Sequence, residues 1–213
     1  MNANELPSNR APAIITAACE LFANSGFEAV SVAEIAHRAG VSKANIFHHF
    51  KSKDALYLEV LKQGCRKHAD FTDALLKADV PSIEKLKRLA EFDLADMFDN
   101  EVETQLFMRE IFNYGHADGR SMAEEVFEHN FEVIVELFRQ GQARGDLRPD
   151  FDAATAAWMF ASNLIMYFHT HQMRRRMPVL RPIDQHEVFG MKILEIFLQG
   201  VAAPESSAAA GAP

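Results

Sequence analysis

The sequence predicts an all-α fold of about nine helices, and three observations carry that expectation. No stretch shows sustained apolar–polar alternation closed by an Asn-Gly or Asp-Gly turn, so strand signals are nearly absent. Apolar residues recur instead at spacings of three and four. Gly and Pro interrupt the chain where such stretches end, at Gly26, Gly40, Pro81, Gly145, Pro149, Pro178 and Pro182.

The 213 residues are 48% hydrophobic and 24% charged, a mix that excludes collagen-like, coiled-coil and wholly disordered chains. No apolar run approaches the ~18 residues of a membrane span, so no membrane partner is expected. The opening MNANELPSNRAPAII lacks the basic start and long apolar core of a secretory signal. Cys19 and Cys65 form no C-x-x-C pair and are too few for a disulfide framework. A cytoplasmic location follows as the expectation. The net charge of -8 looks wrong for a nucleic-acid binder, but it is unevenly spread. Residues 1–68 carry 8 Lys+Arg against 6 Asp+Glu, or +2, and the remainder 14 against 24, or -10. A mildly basic piece on an acidic body can still bind DNA, because only the contacting face must be positive.

The first helix is expected from Ala11 to Ser25, with Ile15, Ala18, Cys19 and Phe22 on one face. Cys19 on that face reads as a small buried hydrophobe. Gly26 supplies a left-handed stop, onto which Phe27 can fold back. Ser31 and Glu34 form a capping box for the second helix, with Val30 and Ile35 at the staple positions. Gly40 ends that helix, and Ser42 caps a third that runs to Phe50. Ser52 caps a longer fourth. Two short helices joined through Ala39-Gly40-Val41-Ser42 make a helix-turn-helix, with Ile35, Ala36, Ala39, Val41 and Ile46 where the helices meet. Such a pair projects its second helix into a DNA major groove.

At ~100° per residue, Ile46 and Phe50 turn inward, Ala44, Asn45 and His48 outward, and Lys43 and Phe47 line a flank. Asn and Lys can read base edges, and Ala can touch a thymine methyl. His48 and His49 can donate to phosphates. Lys53 sits at the start of the fourth helix, where the dipole disfavours a cation. With the free N–H groups there it makes a phosphate site. The plainer reading is a solvated lysine offset by Asp54.

The stretch IITAACELFANSGFEAVSVAEIAHRAGVSKANIFHHFKSKDALYLEVL, residues 14–60, resembles the N-terminal domain of the TetR/AcrR family of bacterial transcriptional regulators. It is about a quarter of the chain. The resemblance implies DNA contacts from Ser42, Lys43, Ala44, Asn45, Phe47, His48, His49 and Lys53, with Ser31 as a phosphate contact. Phe47 departs from the family pattern, which has Tyr there. Phe47 cannot make the phenol-to-phosphate bond, and its apolar role stays open. The implied organisation is a DNA-binding head over residues 1–53, with the start of the fourth helix, then a ligand-binding and dimerisation domain over 54–200. The stretch VAAPESSAAAGAP, residues 201–213, reads as a frayed tail.

Six more helices are expected in the body. A break at Asp79-Val80-Pro81-Ser82 separates the fourth helix from the fifth, and residues 113–119 separate the sixth from the seventh. Gly145 to Pro149 closes the seventh. The last two are expected from Phe151 to Met173 and from Ile183 to Gln199. Each is too apolar for a single buried stripe. The resemblance implies that they pair with their mates in a homodimer, which matches a two-fold operator. The alternative is that both only fill the monomer core. The middle helices carry Phe107 with Ile111 or Phe112, and then Phe127, Phe131, Ile134 and Phe138 at helical spacing. Composition alone reads these as core. The resemblance implies that they enclose a small-molecule effector pocket, mostly apolar, with Tyr114, His116, Asn163 and Tyr167 as its candidate polar groups.

Asp93, Asp96 and Asp99 share one helix side and could attract a cationic effector, but read more simply as a solvated face. His169 and His171 point to different sides of one helix, so no metal site is expected. Arg174-Arg175-Arg176 could touch an anion, and more simply complements a helix C-terminus. No Gly-rich phosphate loop, G-x-S-x-G elbow or H-E-x-x-H occurs, so neither an enzyme nor a cofactor is expected. The expected function is a ligand-responsive repressor that binds a palindromic operator as a homodimer. The competing reading, which Phe47 and the acidic total favour, is a dimeric helical scaffold whose head no longer binds DNA.

Overall fold

The computed structural model describes residues 10–113, 122–183 and 186–202. Among them lie α1 (Ala11–Ser25), α2 (Val32–Ala39), α3 (Lys43–His49), α4 (Lys53–Lys77), α5 (Ser82–Asp99), α6 (Glu101–Asn113), α7 (Met122–Arg144), α8 (Ala153–His169), α9 (His171–Arg175) and α10 (His186–Val201). A 3-10 turn spans Pro178–Ile183. The only pairing of extended chain among the described residues is a bridge between Leu147 and Ala202. No helix among them is long and apolar enough to cross a membrane.

The chain divides into two units, residues 1–67 with 100–127, and residues 68–99 with 128–213. The first is larger than the head expected from the sequence, because α6 belongs to it. Its core gathers Ile14, Phe22, Ile35, Ile46, Leu56 and Tyr57 around Leu106 of α6. Phe22 and Tyr57 meet edge to face at 4.9 Å. Cys19 lies in the same core, where burial above all, with the charges of Glu103 and Glu20, pushes its thiol up to about 12. It behaves as a hydrophobe.

The second unit is built on Leu86, Leu89, Phe138, Phe160, Leu194 and Leu198. Phe138, Phe160 and Phe197 lie pairwise 6.1 Å apart. Lys85 is buried, and its ammonium donates to the Leu76 carbonyl at 3.1 Å and to Gln140 Oε1 at 3.3 Å. It thereby ties the last turn of α4 to α7 and neutralises a helix C-terminus. Asp93 is also buried, with Oδ1 2.8 Å from His68 Nδ1. The expected solvated row of aspartates is therefore corrected at that position.

The helix expected to reach Met173 stops at His169. The Thr170 hydroxyl donates to the Met166 carbonyl at 2.7 Å, and such back-bonding bends helices. Arg174 Nη1 donates to the Tyr167 carbonyl. Together these end α8 and start the short α9, which puts His169 and His171 on separate helices. The last helix starts later than Ile183, because the prolines there sit in the 3-10 turn. Val201 still belongs to α10, and its carbonyl accepts the Arg148 N–H at 2.9 Å. The expected tail lies otherwise outside the described residues.

Candidate nucleic-acid interface

The two short helices are fixed at their ends by their own sequence. Ser31 Oγ accepts the Glu34 N–H at 3.2 Å, and the Glu34 carboxylate accepts the Ser31 N–H at 2.7 Å. These bonds, the backbone one first, hold the Glu34 carboxyl below the usual carboxylate range. Gly40 takes the left-handed turn at φ 65°, and the Val41 N–H returns to the Ala36 carbonyl at 2.9 Å. A side chain at Gly40 would meet strain from φ alone. Ser42 Oγ then accepts the Asn45 N–H at 3.1 Å and opens α3.

Within α3, Ile46 is buried and seats the helix in the first core. Lys43, Ala44 and His48 are exposed, and Phe47 is 52% exposed. His49 is half-buried, with its ring edge-on to His48 at 5.2 Å. Asn45 is half-buried too, and its Oδ1 is enclosed without a hydrogen-bond partner. Its amide nitrogen is thus the group it can offer to a ligand.

Lys53, expected to stand free for an anion, has neutral partners. Its ammonium donates to the Val30 carbonyl at 2.9 Å and lies 4.2 Å from the centroid of the Phe27 ring. These contacts relieve the unfavourable place of a cation at a helix start and bind α4 to the segment entering α2. Ser52 Oγ caps α4 by accepting the Ala55 N–H at 3.0 Å.

Sequence reasoning missed Arg109. It reaches from α6 to the Phe22 carbonyl at the end of α1, across 87 positions of sequence. No local pattern signals such a bond.

The residues expected around an effector are divided between the two units. Phe131 packs half-buried on the second core, 5.9 Å edge-on from Trp158, and Tyr167 is buried in that core. Asn163 stands on the exposed side of α8, its amide donating to the Met159 carbonyl at 2.7 Å. Phe107 is half-buried and Phe112 exposed, both on α6 of the first unit. Tyr114, His116 and the side chain of Phe127 lie outside the described residues. Among the described residues, no three His, Cys, Asp or Glu side chains gather as a metal site.

The family model for bacterial regulatory proteins of the tetR family matches residues 14–60, from α1 into α4. The HTH-type transcriptional repressor KstR2 of Mycolicibacterium smegmatis is 26% identical over 153 residues, 68% of this chain and 71% of that protein. The HTH-type transcriptional regulator RutR of Escherichia coli is 45% identical over 56 residues, only 26% of either chain. Among solved structures, the transcriptional regulator FadR from Bacillus subtilis, in complex with stearoyl-CoA, superposes with a TM-score of 0.67. That match covers 89% of this chain and 98% of FadR at 19% identity, a likeness of fold.

Proposed function

Since this chain belongs to the tetR family of bacterial regulatory proteins, we propose that it is a ligand-responsive transcriptional repressor binding a two-fold operator as a homodimer. The observation that carries this reading is α3 itself. It is capped at its start and seated by Ile46, while Lys43, Ala44, Phe47 and His48 remain exposed. Lys43, His48 and the Asn45 amide supply donors to base edges and phosphates, and Ala44 and Phe47 supply apolar contact to thymine. Ser31, Ser42 and His49 contribute phosphate contacts around this row, and Lys53 adds one through the ammonium protons that its bond to the Val30 carbonyl leaves over.

A second copy supplies the other half-site, placed roughly 34–36 Å away or at a multiple of that spacing. Large apolar side chains stand uncovered on the last long helices. On α8 these are Trp158, 65% exposed, with Met159 and Met166, and on α10 Ile196 is 72% exposed. Burying them against the same helices of a mate explains why such residues are there.

The effector is a small, mostly apolar molecule received by the second unit, with Phe131 and Tyr167 among its contacts. The stearoyl-CoA held by FadR supports an apolar effector. Binding shifts the population between two dimer forms, and α4, whose residues fall in both units, carries the change to the head. A coupling of about 1.4 kcal/mol weakens operator binding tenfold.

Fluorescence anisotropy of the full chain on its own upstream DNA, against a scrambled duplex at two salt concentrations, tests the reading. Tight, sequence-dependent binding that weakens steeply with salt is expected. If a genome-wide selection of bound fragments returns no enriched sequence, the head does not read DNA and the scaffold reading replaces this one.

A further inference from the structure

We propose that Arg174 is the anion-reading end of the effector site, and that the effector is an apolar molecule carrying a carboxylate. The inference rests on the effector-responsive reading above and specifies the chemistry of its ligand.

Arg174, on α9, is only 4% exposed. Its Nη1 donates to the Tyr167 carbonyl and, at 2.7 Å, to the Thr170 hydroxyl. The guanidinium carbon lies 3.7 Å from the centroid of the Tyr167 ring. Part of this is structural. The Tyr167 carbonyl is one of the last acceptors of α8, and a cation there caps the helix.

Capping uses Nη1 alone. Nε is buried without a hydrogen-bond partner, and among the described residues no carboxylate pairs with the guanidinium. Arg38, Arg66, Arg88, Arg144 and Arg148 each face a carboxylate, yet all keep substantial exposure. Arg174, the buried arginine among the described residues, thus has no acidic partner, unlike these five exposed ones. A helix end and an aromatic ring return only part of the cost of desolvating a full charge.

The unspent edge, Nε with Nη2, is the fork that a carboxylate grips through two parallel bonds. The surroundings suit an apolar tail. The Phe98 ring stands edge-on to Tyr167 at 6.3 Å and to Phe168 at 5.3 Å, with His171 5.7 Å away. His171 Nδ1 lies 2.7 Å from the Phe168 carbonyl and holds its proton toward it. A neutral oxygen could accept one N–H of this edge but would leave the buried charge unmet. A carboxylate would complete it, and would act at the end of α8, the helix that presents the exposed Trp158 face.

The test uses the full-length protein and matched pairs of acid and alcohol: octanoate and octanol, dodecanoate and dodecanol, phenylbutyrate and phenylbutanol. Calorimetric titration and release of the operator complex are both read. The wild type is expected to prefer at least one acid over its alcohol by about tenfold, as a charge-assisted fork should. Arg174→Gln should abolish that preference, and Arg174→Lys, which keeps the charge and loses the fork, should fall between. If Arg174→Gln does not fold by circular dichroism, Arg174→Lys carries the test. Equal binding of acid and alcohol, or a preference that survives both substitutions, overturns the proposal while leaving an effector site in place. Should Arg174→Gln instead weaken self-association and spare the acid preference, the guanidinium serves a second copy and the proposal is wrong. If no member of any pair binds or releases operator, the effector reading falls and takes this inference with it.

Discussion

Arg109 donates from Nη1 to the Phe22 carbonyl at 3.0 Å, and Gly26 donates its N–H to that same carbonyl at 2.8 Å. One acceptor at the end of α1 therefore holds both the turn that closes the helix and a cation sent from α6. The next residue on α6, Glu110, accepts the hydroxyl of Tyr57, whose ring packs on Phe22. Burial first, and then Glu110, keeps that hydroxyl protonated far above its usual range. Adjacent side chains of α6 thus grip α1 and α4, so α6 is part of the first unit in energetic terms.

Gly26 has φ 83° and ψ 162°, a region essentially reserved for glycine. Gly26→Ala should therefore cost about 1–3 kcal/mol in thermal unfolding. An alanine Cβ there would lie 3.1 Å from Arg109 Nη1. Arg109→Met alone should cost ~1 kcal/mol, the worth of a hydrogen bond whose acceptor keeps another donor. The double variant should cost less than the two added, because removing the guanidinium relieves the crowding. Unchanged stability of Gly26→Ala would disprove the role given to this turn.

Gly141, on α7, shows the same economy in the second unit. A Cβ there would fall 2.5 Å from Leu147 Cδ1 and 2.9 Å from Ser82 Cβ. Neither neighbour is free to retreat. Ser82 is buried, with its N–H held by Asp146 at 2.8 Å, and the Leu147 N–H returns to the Gly141 carbonyl at 3.1 Å. Gly141→Ala should destabilise by about 1–3 kcal/mol through overpacking, and chemical denaturation would measure it. A neutral result would mean that the turn at Leu147 gives way easily.

The capping box, the second helix cap and the Gly40 stop were legible because they are local. Ser31 with Glu34, Gly40, and Ser42 act within four residues of themselves, and each does in space what its spacing predicts. The inward turn of Ile46 followed from helical geometry alone. What escaped was long-range or partner-dependent. The two contacts that occupy Lys53 come from Val30 and Phe27, and a helix-dipole argument cannot foresee them. The break at Thr170 depends on a hydroxyl choosing the Met166 carbonyl over solvent and on Arg174 folding back. Asp93 became buried because His68, on another helix, offered it a proton, a pairing 25 positions apart.

Phe47 offers a direct measure of the reading helix. It is large, apolar and half exposed where a phosphate-bonding phenol is the family pattern. Phe47→Tyr adds only a hydroxyl and should tighten operator binding by roughly fivefold, the equivalent of ~1 kcal/mol for one hydrogen bond. Phe47→Ala should weaken binding through lost apolar contact, whereas Lys43→Ala should weaken it and also flatten its dependence on salt. Anisotropy titrations over a salt series separate the two effects. If Phe47→Tyr binds no better than wild type, the ring does not point at the backbone, and its apolar contact with bases gains weight.

His68 and Asp93 give the second unit a pH-dependent element of stability. Burial by itself would hold the His68 imidazole down. The hydrogen bond to Asp93 and the charges of Asp93 and Asp96 outweigh it and raise the group above its ordinary value of 6.5. A raised histidine binds its proton more tightly in the folded state than in the unfolded chain. Its contribution is therefore complete below 6.5, the unfolded value, and is lost as pH climbs through the higher folded value. His68→Gln keeps a hydrogen-bonding side chain but cannot titrate. The midpoint difference between wild type and His68→Gln should thus be largest below 6.5 and shrink as pH rises through the higher folded value. Melting curves of both proteins across that window, in one buffer ionic strength, make the comparison. A difference that stays flat, or grows with pH, would mean that His68 sits neutral against a protonated or solvated Asp93. The pair would then be an ordinary hydrogen bond without a charge to lose.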